Sequence, residues 1–230
     1  MQMPCYQPVG DRALLVEFEK RISLEVNAKV HSLHQILSQE KPIGVEEAVP
    51  AYCSLLVYFD PLKTSYERLV YRLQDLQAEN PSYHAANRRA VIVPVIYGGS
   101  YGPDLEYVAH HNNLTEDEVI HIHSKITYSI YMIGFLAGFP YLGEVPEEIA
   151  TPRLKAPRLK VPAGSVGIAD RQTGVYPCDS PGGWRILGWT PMNVFEPSRH
   201  PPALLNPGDH VMFKPIKGGE LEKQQREHGK

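Results

Sequence analysis

The chain has 230 residues, 43% hydrophobic and 21% charged, the balance of a globular protein that buries a core. Its net charge of −3 supplies no positive field to steer nucleic acid toward it, so nucleic acid is excluded as a general partner. Cys5, Cys53 and Cys178 are scattered without CxxC or Cys/His spacing, and residues 1–12 lack the apolar core of an export signal. The expectation is a cytoplasmic protein with neither a disulfide framework nor a bound metal.

Residues 12–18, Arg-Ala-Leu-Leu-Val-Glu-Phe, form an apolar run that predicts a strand. Ser23 is placed to cap a helix with Glu25 in its first turn and an apolar stripe of Val26, Val30, Leu33 and Leu37. Residues 45–59 read as two strands broken near Pro50, the second being Ser54–Phe59. Asp60-Pro61 then makes a turn, and Thr64 or Ser65 caps a second helix with the stripe Tyr66, Leu69, Val70, Leu73 and Leu76. The order, ββαββα, suits a small sheet with two helices on one face, an α+β domain over residues 1–80. Residues 81–89 are polar and aperiodic and read as a linker.

A second domain, residues 90–217, opens with a strand at Ala90–Ile96. One short helix begins around Pro103-Asp104, and another is announced by a capping box, Thr115 to Glu118. Ile126, Tyr128, Ile130 and Met132 alternate with polar or aromatic neighbours, a strand pattern. The uncharged stretch around them, Ile126–Gly143, is too short and too polar to cross a bilayer, so no membrane partner is expected. Of 21 prolines, 13 lie between Pro140 and Pro215, which excludes long helices there and favours a barrel or sandwich of short strands. Asn206-Pro-Gly-Asp209 fits a type II turn before a strand at His210–Phe213. The charged tail, residues 218–230, reads as disordered.

Chemistry is sparse. There is no GxxxxGK[ST], GxGxxG or GxSxG. His121 and His123 are two apart on a helix and cannot share a metal, which leaves His123 as either an acid–base group or a satisfied helix-end histidine. Ser165 and Ser180 stand beside glycines without a base at a recognisable spacing, and read better as hydrogen-bonding hydroxyls than as nucleophiles. Residues 152–162 write Pro-Arg-Leu-Lys twice, gathering Arg153, Lys155, Arg158 and Lys160 with no acid between Thr151 and Ala169. Prolines hold such a segment extended, and arginine forks suit carboxylate or phosphate; the plainer reading is a solvated basic loop. Paired glycines at Gly182-Gly183 and the Gly164-Ser165 turn can expose backbone amides to an anion. Trp184, Phe135, Phe139 and Tyr141 would wall the pocket, or else simply pack barrel corners.

Six stretches carry a resemblance: GFLAGFPYLG (134–143), the Pro-Arg repeat (152–158), VPAGSVGIA (161–169), QTGVYP (172–177), SPGGW (180–184) and PGD (207–209). In this order they resemble the family called allophanate hydrolase subunit 1, over nearly the whole chain. Ala137 stands where that family usually has proline, and Asp170 where glycine is common. The resemblance implies a ferredoxin-like first domain and a cyclophilin-like β-barrel second domain. It also implies ATP-dependent opening of 5-oxoproline to glutamate by this chain together with an A and a C subunit; with no P-loop and no recognisable nucleophile–base pair in the sequence, the chain is expected to be inactive alone. ATP, with its Mg, would then be shared with the partner. Related modules form the carboxyltransferase part of urea carboxylase. On this reading Arg158 and His123 are the catalytic candidates. Arg153, Arg158, Lys160, Gly164, Ser165, Ser180, Gly182, Gly183 and Trp184 bind substrate or anion, behind the wall of Phe135, Phe139 and Tyr141. The family also holds the histidine-kinase inhibitor KipI, so the alternative is a regulatory protein that binds a sensor histidine kinase.

Overall fold

A computed structural model describes residues 4–79 and 89–217. The expected linker, except for Arg89, and the expected tail lie outside the described residues. The chain divides into two compact units, Met1–Arg88 and Arg89–Lys230.

The first unit runs β1 (Cys5–Val9), β2 (Ala13–Glu17), α1 (Leu24–Glu40), β3 (Val45–Pro50), β4 (Ser54–Phe59) and α2 (Tyr66–Glu79). Its sheet has the order β1-β2-β4-β3 with every neighbour antiparallel. The Ser23 hydroxyl accepts a hydrogen bond from Val26 N–H at 3.2 Å and starts α1. Ser65, accepting from Arg68 N–H at 3.3 Å, starts α2. Leu14, Val16, Leu55, Val57 and Phe59 occupy one face of the sheet by simple alternation, where they meet the apolar stripes of both helices. The strand β1 is polar and exposed over most of its length, with Pro8 inside it, as an edge strand tolerates. That is why no apolar alternation announces it.

The second unit runs β5 (Ala90–Tyr97), α3 (Leu105–His111), α4 (Glu116–Ser124), β6 (Thr127–Ile133), β7 (Pro140–Gly143), a 3-10 turn (Glu147–Ile149), β8 (Arg158–Val161), β9 (Ser165–Ala169), β10 (Gln172–Val175), β11 (Ser180–Gly182), β12 (Arg185–Trp189) and β13 (His210–Pro215). Seven strands close a barrel in the order β10-β7-β6-β13-β5-β12-β9, and β8 pairs with β11 outside it. The capping box is complete: Thr115 accepts from Glu118 N–H, and Glu118 accepts from Thr115 N–H. Residues 206–209 form the expected turn, with Gly208 at φ 87° and Asp209 N–H donating to Asn206 O at 3.1 Å. In β6 Tyr128 and Ile130 are buried as the pattern predicts, and Ser129 between them is buried too. A register shift against β7 then buries Tyr131 as well. Asp170 takes φ 52°, which accounts for glycine being common at that position in the family it resembles. No helix among the described residues is long and apolar enough to cross a membrane.

A polar relay runs through the barrel core. Thr173 donates its hydroxyl proton to Gly167 O at 3.0 Å, so it can only accept from His123 Nε2–H at 2.9 Å. Nδ1 is thereby bare and accepts from the Tyr97 hydroxyl at 2.7 Å. The ring is fully buried and stacks on Phe213 at 4.6 Å. Burial pulls its pKa from the ordinary 6.5 down to about 3.

Two outcomes follow from this architecture. A Cβ on Gly102 would stand 2.0 Å from Leu187 O, so Gly102→Ala must push α3's approach away from β12. We expect a loss of ~2 kcal/mol or more in urea unfolding, the scale of overpacking. The unfolded chain protonates position 123 near pH 6.5 and the folded chain only near 3. Stability from the neutral ring is therefore full above the higher value and falls as pH drops between the two, by up to ~1.4 kcal/mol per pH unit. Unfolding midpoints between pH 7 and 4 should fall more steeply for the wild type than for His123→Gln; equal slopes would contradict the assignment.

Candidate functional site

The site grows from Trp184. Its indole is 6% exposed and lies edge-on to Phe139 at 5.2 Å and to Tyr141 at 5.8 Å. Phe139 also meets Tyr176 at 5.2 Å and Phe135 at 5.8 Å. Phe139, Tyr176 and Trp184 with Val161, Ala169 and Ile186 form a core separate from the main barrel core, and Tyr141 packs against it. Of the three aromatics expected to wall a pocket, Phe139 is packed in this core, Tyr141 is half-buried, and Phe135, at φ 66°, is 64% exposed. Burial raises the Tyr141 phenol and the nearby Arg153 charge opposes it, so the ring stays a neutral hydroxyl.

The Pro-Arg segment is fastened to β11 and to the bend after it that carries Trp184. Leu154 N–H donates to Gly183 O at 2.8 Å, and Arg158 pairs with Gly182 in the β8–β11 ladder. The Arg153 guanidinium lies 6.0 Å from the Trp184 ring centroid and has no carboxylate partner among the described residues. Arg158 is differently placed. Its Nη2 donates to Asp104 Oδ1 at 2.8 Å and its Nη1 to Trp184 O at 3.4 Å. Lys160 forms an exposed 2.7 Å pair with Asp179, which raises the lysine's pKa and lowers the aspartate's. No acid lies between residues 151 and 169, yet two of the four cations are paired by acids from elsewhere in the chain.

Asp104 and Arg185 are functional residues that sequence reasoning missed. Asp104 was visible as a helix start, but its side chain makes no cap hydrogen bond. It accepts instead from Arg158 and, through Oδ2, from Ile186 N–H at 2.7 Å. Arg185 Nη1 stands 3.7 Å from the same carboxylate, its Nε donates to Pro152 O at 3.2 Å, and its guanidinium covers Tyr107 at 3.7 Å.

Several expected anion ligands are committed to the fold. Gly164 N–H donates to Tyr176 O at 2.7 Å and Ser165 N–H to Pro162 O at 3.2 Å, so neither amide is left for an anion. Ser180 donates its hydroxyl to Pro181 O at 3.2 Å. A Cβ on Gly182 would come within 2.4 Å of the Tyr176 hydroxyl, so this glycine makes room for that phenol. Gly183 contributes its carbonyl to the Pro-Arg segment. His123 is enclosed in the barrel relay with both ring nitrogens occupied, apart from this cluster, as the plainer reading of a satisfied helix-end histidine has it. What remains is a cationic aromatic surface: one unpaired guanidinium over an indole, a neutral phenol and an exposed phenyl ring. No nucleophile–base pair joins it among the described residues.

The carboxyltransferase domain, subdomain C and D, family matches residues 4–205. The chain is 42% identical to the 5-oxoprolinase B subunit of Bacillus subtilis over 90% of each chain. It is 41% identical to the 5-oxoprolinase B subunit of Escherichia coli O157:H7 over 94% of this chain and 97% of that one. The solved structure of TTHA0988 superposes with a TM-score of 0.81 at 39% identity; the match covers 90% of this chain but 40% of that longer one. With this match across nearly its whole length, the chain belongs to the carboxyltransferase-domain family of subdomains C and D.

Proposed function

We propose that the chain acts as the B subunit of an ATP-dependent 5-oxoprolinase, opening 5-oxoproline to L-glutamate with an A and a C subunit in the cytoplasm. We read its first unit as ferredoxin-like and its second as cyclophilin-like. The observation that carries the proposal is the unpaired Arg153 guanidinium over Trp184, in a chain whose relatives are named for that activity. 5-Oxoproline is a five-membered lactam with one carboxylate. Its ring suits the shelf of Tyr141 and Phe135, and its carboxylate suits the planar fork of Arg153.

The lactam is resonance-stabilised, and hydrolysis coupled to ATP supplies the driving force for opening it. The described residues do not fit a triphosphate. The amides of Gly164 and Ser165 are spent on carbonyls, while Arg158 and Lys160 are neutralised by Asp104 and Asp179. We therefore assign the nucleotide, its Mg and the general base to the partner subunits. The role of this chain is to bind and orient the lactam.

Glutamate release from 5-oxoproline, assayed with this chain alone, with the C subunit, and with both A and C, tests the assignment. Turnover is expected only in the complete mixture, and turnover by the isolated chain would sink the division of labour. In that mixture Arg153→Ala should raise KM for 5-oxoproline roughly 10- to 150-fold, the worth of one charge-assisted contact, while leaving the melting temperature unchanged. A wild-type KM would remove Arg153 from the site. No turnover in any mixture would favour the kinase-inhibitor reading.

A further inference from the structure

We propose that Asp104 is a positioning residue: a single buried carboxylate that latches the Pro-Arg segment against the bend that carries Trp184 and so sets where Arg153 points. The purpose given to the latch rests on the function proposed above; the latch itself does not.

Asp104 is 7% exposed at its side chain and is the point where two arms meet. One arm is Arg158, bound to Oδ1 at 2.8 Å and reaching Trp184 O with its other nitrogen. The second is Arg185, whose Nη1 lies 3.7 Å from the same oxygen while its Nε holds Pro152 O. The arms thus grip residues 152 and 158, and Arg153 stands between the grips. Oδ2 is anchored independently by Ile186 N–H, so the carboxylate cannot swing with the loop. Tyr107 backs the second arm, its ring lying flat under the Arg185 guanidinium.

Charge makes the carboxylate necessary. Two guanidiniums around one carboxylate leave one net positive charge beside Arg153, enough to attract an anion. Without Asp104, three arginines would crowd one face uncompensated, and repulsion would open the segment. A helix-start aspartate normally caps its own helix; here that bond is forgone, and both oxygens serve the segment instead.

The segment carries its own reporter, because trypsin cuts after Arg153 and Lys155 once the backbone is loose. In the full chain, Asp104→Asn should speed cleavage at these two bonds ~10-fold, as local opening does, with cuts elsewhere unchanged. In the assembled enzyme the same variant should raise KM for 5-oxoproline ~10-fold or more while kcat stays within ~3-fold, a loss of binding rather than of chemistry. Adding Arg158→Gln to Asp104→Asn should worsen both readings only slightly, because their shared contact is already lost and only the 3.4 Å bond of Arg158 to Trp184 O goes with it. Tyr107→Ala, at a half-exposed ring whose loss the fold tolerates, should give the same signature more weakly and decides the matter if Asp104→Asn does not fold. Unchanged cleavage after Arg153 and Lys155 in a folded variant would overturn the latch, whatever the activity. Faster cleavage with an unchanged KM would overturn its positioning role. An inert wild-type assembly would count against the proposed function alone, and the cleavage rates would still decide the latch.

Discussion

The second unit depends on one pairing, the parallel register of β13 with β5 from His210 beside Ala90 to Pro215 beside Val95. Parallel neighbours need a long crossover, and here the crossover is nearly the whole unit. The remaining barrel strands are inserted between these two and add as antiparallel neighbours on either side. His123 belongs to this closure: its ring bonds Tyr97 at the end of β5 and Thr173 in β10, and stacks on Phe213 in β13. A histidine in a dry core is tolerable because each polar atom of the relay has a partner.

The barrel leaves its corners free to carry a second, aromatic core, and the candidate site is the exposed side of that core. Two kinds of charge meet there. Arg158 and Arg185 are bound to Asp104 and fix geometry, while Arg153 is unbound and supplies attraction. A cation already paired has less to give a ligand, so the count of arginines in a sequence overstates the strength of a site.

What could be read from sequence was what depends on near neighbours. The caps at Ser23 and Thr115, the apolar stripes of α1 and α2 and the turn at 206–209 all involve residues within a few positions of one another. Phe139, Tyr141, Arg153 and Trp184 meet across much longer stretches of chain, and their expected association rested on pattern and family resemblance rather than on neighbours. What stayed hidden depends on distant ones. Asp104 is 54 residues from Arg158, and an aspartate before a helix looks like a cap whether or not it caps. The amides of Gly164 and Ser165 look available in any glycine turn until the facing carbonyls of Tyr176 and Pro162 are placed. The strand β1 lacked signal because Tyr6 alone of this edge strand packs on the core, which leaves no alternation to read.

The two copies of Pro-Arg-Leu-Lys share a sequence and have opposite fates. The second is fixed by strand pairing, Arg158 with Gly182 and Val161 with Ser180, whereas the first is held at Pro152 O and Leu154 N–H and its Arg153 meets the indole through a cation–π contact. Anchoring and recognition are therefore encoded by separate residues, although the chemistry of both is arginine. Position 153 can be exchanged by mutation without disturbing the anchor, so a lineage can retune which anion it favours while keeping the scaffold intact. Position 158 has no such freedom, because a change there removes a partner from a buried carboxylate. Two copies of one short unit in this way divide the loop into a part that recognises and a part that anchors.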